Sequence, residues 1–370
     1  MVELERVKAD LLALLRIDSP SYREADAAAW LAARFAEFGV EATDDGLGAT
    51  LNGNSGNLVA RIPGNGAPAV LLNAHMDNVP PCEGVNPLID DGVVRTDGRT
   101  VLGGDDKCGC IAILTAVREV LTSGVPHPPL EIVLTAAEET GLEGAKGLDY
   151  STVAARRGFV AESGTVGAIT VKAPSADRWD AVLKGRAAHA GVAPEKGINA
   201  IRMAAEAIAE MHVGRLDDET TANVGLIRAG EARNVVPPKC TVGGEARSHD
   251  RRKLDSQVKH VRRCFENAAK RHGGEVELTV SRTYERFGIG LGEWPYLVAD
   301  EAAREVGLDP IARPTGGGSD ANIFNERGVV CVILGCGSSE VHTTDEHVDL
   351  NELHRACVWL AKIIEIAGSG

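Results

Sequence analysis

The chain has 370 residues, of which 44% are hydrophobic and 4% aromatic, and its formal net charge is −14 with a sequence pI of about 5.2. This length is ample for a large core in more than one domain. So acidic a chain disfavours nucleic acid and anionic membranes as partners, because both bind clustered Lys and Arg.

The first residues and the cysteines indicate the cellular compartment in which the protein is expected. Residues 1–7 lack the basic start and apolar core of a secretory signal, and no apolar run reaches the length of a membrane-spanning helix. In a chain of this size without a signal, the 8 cysteines are expected to be reduced and mostly buried. We therefore expect a cytoplasmic protein.

Strands and helices alternate over most of the chain. This alternation predicts an α/β fold with a mostly parallel sheet and helices on both faces. In chain order, the predicted elements are helices at 3–16 and 24–37, strands at 57–62 and 69–75, a loop at 79–104, a helix that Asp105 opens and that has one buried stripe, strands at 130–135 and 158–161, and, after an interruption, a helix near 294–306, a strand at 329–334 and a helix near 351–366.

The segment that interrupts this alternation, residues 176–284, has a different order of strands and helices. Its elements follow the β-α-β-β-α-β order of ferredoxin-like domains. The sequence therefore predicts a discontinuous larger domain, residues 1–175 and 285–370, with an inserted domain of residues 176–284. The inserted elements are a strand at 178–184, a helix at 197–212, strands at 222–228 and 239–246, a helix at 250–272 and a strand at 275–282.

Polar residues follow several predicted strands of the larger domain. In open α/β sheets, ligands bind outside the carboxyl ends of the strands. Singly, these residues have simpler interpretations, such as a structural His–Asp pair, a solvated Glu pair or a helix N-cap. Together, two histidines and several carboxylates suit Zn²⁺, Co²⁺ or Mn²⁺. The candidates are His75 and Asp77, which point to the same face of a strand end, Asp105 in a Gly-rich loop, Glu138, Glu139, Glu162 and His342.

The order and flanking residues of these positions resemble one enzyme family, the two-domain co-catalytic zinc metallopeptidases that include peptidase T, carboxypeptidase G, succinyl-diaminopimelate desuccinylase and aminoacylase. The resemblance covers nearly the whole chain and is greatest for the peptidase T branch. It implies a zinc-exopeptidase type catalytic domain with a ferredoxin-like lid or dimerisation domain. The matching strings are His75-x-Asp77, Gly103-Gly104-Asp105-Asp106-Lys107-x-Gly109, Glu138-Glu139-x-Gly141, Glu162-Ser163-Gly164, Val341-His342-Thr343 and Gly185-Arg186-Ala187-Ala188-His189-Ala190-Gly191.

The resemblance also implies a role for each candidate in the larger domain. Asp105 would bridge two divalent ions, Zn²⁺ with Co²⁺ or Mn²⁺ as alternatives. One ion would take His75 and Glu162, and the other Glu139 and His342. Glu138 would be the general base, and Asp77 would orient His75. One departure concerns Glu162, because peptidase T itself is expected to have Asp there; Glu is used in carboxypeptidase G-like members.

In the inserted domain, the resemblance implies substrate contacts. His189 would stabilise the oxyanion from its own subunit or from the partner of a homodimer formed through this domain. Arg247 would hold a substrate carboxylate, and Asn223 and Asn234 would bond the substrate backbone. Outside the inserted domain, the Gly-rich loop at 315–320 would line the pocket with backbone N–H groups. It does not match a phosphate-binding loop, which needs Gly-Lys-Ser or Gly-Lys-Thr.

The predicted function is hydrolysis of the amide bond of short peptides, most simply by an aminopeptidase similar to peptidase T. One alternative is an amidohydrolase that removes the acyl group from an N-acyl amino acid. A second alternative, of another class, is a non-catalytic metal-binding or ligand-binding protein on the same fold. Loss of Glu138 or of a ligand would favour that last reading, and the sequence retains all of them.

Overall fold

The computed structural model describes residues 2–369, which form two compact units. The first unit contains the chain up to Lys172, Gly288–Pro314 and the chain from Ser319 onward. The second unit contains Ala173–Phe287 and Thr315–Gly318. The functional roles assigned above to these two parts of the chain stay predictions.

Helices and strands are numbered here in chain order. The helices are α1 (Leu4–Leu15), α2 (Ala25–Ala36), α3 (Gly48–Leu51), α4 (Gly104–Ser123), α5 (Glu143–Gly147), α6 (Ala200–Glu210), α7 (Arg251–His272), α8 (Trp294–Glu305), α9 (Asp320–Glu326) and α10 (Leu350–Ser369). The strands are β1 (Ala42–Asp44), β2 (Leu58–Ile62), β3 (Val70–His75), β4 (Leu88–Asp90), β5 (Val93–Arg95), β6 (Leu130–Thr135), β7 (Arg157–Glu162), β8 (Ala168–Ala173), β9 (Ser175–Lys184), β10 (Gly214–Asp217), β11 (Thr220–Ala229), β12 (Lys239–Ser248), β13 (Glu275–Tyr284), β14 (Phe287–Gly288), β15 (Ile311–Pro314), β16 (Val330–Gly335), β17 (Ser338–Ser339) and β18 (His347–Asp349).

The main sheet of the first unit is parallel at its centre. Its strand order is β1-β2-β6-β3-β7-β16-β8-β14, with β15 paired to β8. The four neighbours β6, β3, β7 and β16 run parallel, whereas β2 and β8 join them antiparallel. All residues of β3 and β6 are buried, as expected for strands covered on both faces. The carboxyl ends of the four central strands therefore lie along one edge.

Helix α4 is buried more completely than its sequence pattern indicates. A single apolar stripe was expected, but every residue from Gly104 to Val117 is buried. The helix packs against β3 and β7 on one side and against α1 and α10 on the other, so only its last two turns reach solvent. Within residues 2–369, no helix combines the length and the apolar character needed to cross a membrane.

The predicted loop at 79–104 contains two short strands that the sequence pattern did not reveal. Strands β4 and β5 form a hairpin that continues through β18 to β17 in a separate four-stranded sheet. Three-residue strands are too short to show a period of two, which explains why they were missed. This small sheet carries the chain between β17 and β18, the segment that contains His342.

The second unit is a five-stranded antiparallel sheet in the order β10-β11-β12-β9-β13. Helices α6 and α7 pack on it and enclose a core that includes Trp179, Met203 and Phe265. The elements follow the expected β-α-β-β-α-β order, with β10 as one additional short strand. Alternating burial along β13 shows that this sheet buries one face.

Candidate metal centre

The carboxyl edge of the central strands gathers the predicted ligands of the first unit. His75 ends β3, opposite Thr135 at the end of β6, and Glu162 ends β7, opposite Gly335 at the end of β16. Glu138 and Glu139 come from the connection after β6, and His342 comes from the connection between β17 and β18. Asp105 lies in the first turn of α4.

Asp105 lies between the two histidines. Its Oδ1 is 3.5 Å from His75 Nε2, and its Oδ2 is 3.3 Å from His342 Nε2. His342 Nε2 is also 3.0 Å from Glu139 Oε1. Each of His75, Asp105 and Glu139 offers a ligand atom within 4.8 Å of the others. The Asp105 carboxylate therefore faces His75 with one oxygen and the pair of His342 and Glu139 with the other.

The side-chain atoms gathered here suit a divalent cation as ligands. Within the described part of the chain, Oδ1 of Asp105 and Oε1 of Glu139 are buried and have no well-aligned hydrogen-bond donor. A buried carboxylate oxygen left in this way is costly unless a cation binds it. Imidazole nitrogen and carboxylate oxygen together suit borderline ions such as Zn²⁺. The residues present thus fit a metal ion on two independent grounds.

Negative charge is concentrated at this centre. Burial and the charge of Asp105 raise the pKa of Glu162 to about 8. Burial raises the pKa of Glu138 well above its ordinary value, and neighbouring carboxylates add to the effect. The neighbouring carboxylates of Asp105 and Glu139 raise the pKa of His342 to about 10. A divalent cation would offset the negative charge that contributes to all three shifts.

Asp77 contacts more of the centre than His75 alone. Its Oδ1 is 3.4 Å from His75 Nδ1 and accepts a 3.0 Å hydrogen bond from the backbone N–H of Glu138. Its Oδ2 accepts from the backbone N–H of Glu139 at 3.2 Å and from Ser21 Oγ at 2.6 Å. The nearest acceptor of His75 Nδ1 is the backbone oxygen of Asp77, at 3.1 Å. Asp77 thus fixes the imidazole of His75 and, through its carboxylate, the backbone of both glutamates.

The Gly-Gly-Asp-Asp-Lys-x-Gly string does not form a regular helix at its start. Asp105 and Asp106 have non-helical dihedral angles, and the bond between them is cis. The Asp106 carboxylate accepts hydrogen bonds from the backbone N–H of His75 at 3.2 Å and of Gly109 at 2.9 Å. Asp106 therefore caps the helix and ties it to the end of β3, while Asp105 points to the histidines.

Gly109 is required for this close approach. A Cβ added there would lie 2.5 Å from Asp106 Oδ1 and 2.6 Å from the backbone oxygen of Ala161. We expect Gly109→Ala to lower the free energy of unfolding by about 1–3 kcal/mol, as overpacking in a core does. Differential scanning calorimetry measures the effect. Gly292→Ala is the control, since its Cβ would meet nothing within 4 Å. Equal melting temperatures for the two variants would contradict the expectation.

The predicted substrate-binding residues all lie on the second unit. His189 and Asn234 are exposed neighbours, because His189 pairs with Val235 and the N–H of Ala190 donates to the backbone oxygen of Asn234. Asn223 is exposed on β11. Their roles stay predictions.

Arg247, on β12, is already engaged within the second unit. Its Nε and Nη2 donate to the two carboxylate oxygens of Glu245, at 2.8 and 3.1 Å. A substrate carboxylate would have to share or displace this pairing, so the predicted bidentate contact is not preformed. The two residues are separated by one position on a strand, and the period of two could have predicted that they share a face.

Two buried carboxylates at this centre were not assigned from the sequence. Asp320, which ends the Gly-rich stretch and begins α9, accepts from Thr135 Oγ1 and from Asn73 Nδ2. Glu346, four residues after His342, accepts three backbone hydrogen bonds, two from the loop before α4 and one from Asp105 in its first turn. Neither lies in a periodic pattern. The only signal in the sequence is an acidic residue close to a predicted ligand or loop.

Comparison with known proteins identifies the family. Residues 71–366 match the profile of peptidase family M20/M25/M40. The aminopeptidase PepT of Bacillus cereus is similar, with 37% identity and a TM-score of 0.87 over 99% of both chains. A tripeptidase of Staphylococcus aureus has 35% identity and a TM-score of 0.93 over 100% of both chains. Peptidase T of Escherichia fergusonii is 25% identical over 350 residues, 84% of this chain and 85% of that protein.

These matches confirm the α/β fold class and the resemblance to peptidase T-like metallopeptidases that the motifs indicated. They also confirm that the chain is an enzyme, because the matched profile is that of a peptidase family and the aminopeptidase and the tripeptidase are similar to it over their whole length. We conclude that the chain is a hydrolase acting on peptides and belongs to peptidase family M20/M25/M40.

Proposed function

We propose that this peptidase is a dinuclear metal-dependent aminopeptidase that cleaves short peptides. The observation that carries the proposal is the position of Asp105, whose two carboxylate oxygens face His75 and His342 separately. A carboxylate in this position can bind two ions at once. The names of the similar proteins, an aminopeptidase and a tripeptidase, support the substrate class.

The other candidate metal ligands divide into two groups around Asp105. His75 and Glu162 would hold one ion, and Glu139 and His342 would hold the other, as the family resemblance implies. When bound, two divalent ions polarise the carbonyl of the scissile amide and make a water molecule acidic near neutral pH. Asp77 serves both groups, because it contacts His75 and holds the backbone of Glu139.

Glu138 would be the general base. Its backbone N–H is fixed by Asp77, and its side chain is buried at the centre. Its carboxylate would take a proton from the attacking water and give it to the leaving amine. His189, Asn223 and Asn234 would contact the substrate from the second unit.

Metal removal and a paired substrate panel test the proposal. We expect a chelator to abolish hydrolysis and Zn²⁺, Co²⁺ or Mn²⁺ to restore it, because the carbonyl and the water both depend on the ions. The panel contains dipeptides and tripeptides with a free amine, the same peptides with an acetylated amine, and N-acetyl amino acids. Liquid chromatography of the products should show release of the amino-terminal residue from the free peptides only.

Each other outcome has a definite meaning. Cleavage of N-acetyl amino acids instead of free peptides would replace the aminopeptidase with an amidohydrolase. Hydrolysis that survives complete removal of metal, verified by elemental analysis of the protein, would refute the metal-dependent mechanism. No hydrolysis of any member of the panel after metal is restored would refute the proposed substrate class.

A further inference from the structure

Glu346 is a buried carboxylate that no role described so far uses. Its side chain is only 2% exposed. One oxygen, Oε2, accepts hydrogen bonds from the backbone N–H groups of Leu102 at 2.9 Å and Gly103 at 2.7 Å. The other, Oε1, accepts from the backbone N–H of Asp105 at 2.9 Å. The carboxylate is therefore enclosed by three N–H donors from the loop that presents Asp105.

The loop has the shape that this carboxylate requires. Gly103 has φ of 77°, a conformation that side chains rarely adopt, and it turns consecutive N–H groups toward one point. A Cβ at Gly104 would lie 2.7 Å from Val348 Cγ2 and 3.2 Å from Glu346 Oε1, so the loop packs directly on this segment. The contact is thus specific to the backbone that precedes α4.

Glu346 also belongs to the segment that carries His342. Only three residues separate the two, and both lie between β17 and β18. A displacement of the Glu346 carboxylate would move Asp105 through its N–H and would release the His342 segment from the loop. The 3.3 Å separation of His342 Nε2 from Asp105 Oδ2 depends on both segments.

We propose that Glu346 is a positioning residue for the metal centre: its carboxylate holds the Asp105 loop and the His342 segment at the separation that the ion shared by these two residues requires. The inference rests on the proposed dinuclear function. A purely structural carboxylate would stabilise the fold equally with and without metal. A positioning carboxylate also sets metal affinity, and removing such a supporting group typically weakens binding by roughly 10–100-fold.

Glu346→Gln tests the proposal with little change in shape. The amide offers one acceptor oxygen in place of two, so its NH₂ group must face either the N–H of Asp105 or the N–H groups of Leu102 and Gly103. The matched control is Asp345→Asn, which neutralises the adjacent, exposed carboxylate. Metal-free parent and variants are titrated with Co²⁺, and visible absorption and calorimetry report the affinity, stoichiometry and ligand geometry of each ion.

We expect the parent and Asp345→Asn to bind two Co²⁺ per chain with equal affinities and spectra. In Glu346→Gln, at least one of the two should bind roughly 10–100-fold more weakly with an altered spectrum. Glu346→Asp keeps the charge, and its Co²⁺ affinity should lie between those of the parent and Glu346→Gln. If Glu346→Gln does not fold, Glu346→Asp decides the outcome in the same titration.

Two results would overturn the inference. If Glu346→Gln, or Glu346→Asp in its place, melts at a lower temperature without metal but binds both ions as the parent does, Glu346 has only a structural role. If the parent itself does not bind two ions, the dinuclear function fails, and the inference fails with it. The behaviour of the parent therefore distinguishes the two failures.

Discussion

Glu138→Gln should abolish most peptide hydrolysis while leaving metal binding intact. Glutamine has nearly the same shape as glutamate but cannot take a proton from water, and the loss of a general base typically costs roughly 10²–10⁴-fold in turnover. The backbone hydrogen bond from Glu138 to Asp77 does not depend on the side chain, so the local fold should persist. Steady-state kinetics on a tripeptide and elemental analysis of the purified variant measure the two quantities.

The control for this variant is Glu143→Gln. Glu143 lies on α5, five positions away, where its partly exposed carboxylate pairs with Lys146. Exposed pairs of this kind contribute little, so we expect parent-like turnover and metal content. Turnover of Glu138→Gln within a few-fold of the parent would contradict its role as base. Loss of metal from Glu138→Gln would instead make Glu138 a ligand.

The second large effect is expected for Asp105→Asn. Asparagine keeps one acceptor oxygen but places an NH₂ group toward one of the two histidines, so the side chain can no longer serve two ions. We expect the number of tightly bound ions to fall from two to at most one. A metal ion supplies several kcal/mol of transition-state stabilisation, so turnover should fall by roughly 10³-fold or more.

Isothermal titration of the metal-free proteins with Zn²⁺ and circular dichroism of each variant measure this prediction. Asp90→Asn is the control, because Asp90 is an exposed aspartate of β4 in the same unit. It should bind metal as the parent does. Two tightly bound ions in a folded Asp105→Asn protein would show that Asp105 does not bridge them.

The clustering of the candidate ligands could be predicted because a parallel sheet determines where strand ends meet. His75 and Glu162 are the last residues of adjacent parallel strands, and Glu138 follows a third. Knowing only that these runs are buried strands of one sheet is enough to place their ends on the same edge. The flanking motifs then indicated the family, which the comparisons confirm.

The rest depends on contacts that have no period in the sequence. Glu346 binds backbone N–H groups of a loop far away along the chain, and no pattern of side-chain types indicates such acceptors. Helix α4 shows one stripe locally but is buried all round by elements from both ends of the chain. The homodimer, the cytoplasmic location, the native metal and the substrate contacts of the second unit stay predictions.

The spread of the candidate ligands along the chain, from His75 to His342, has a consequence for assembly of the enzyme. The second unit is inserted between them, so ions bound by these residues would cross-link segments that are separated by very long loops in the unfolded chain. Because the site forms only when these segments come together, the binding energy of the ions would become part of the folding energy. The set of candidate metal ligands is complete only after His342 has been synthesised. Loading with metal would then be a late event in the maturation of each newly made chain.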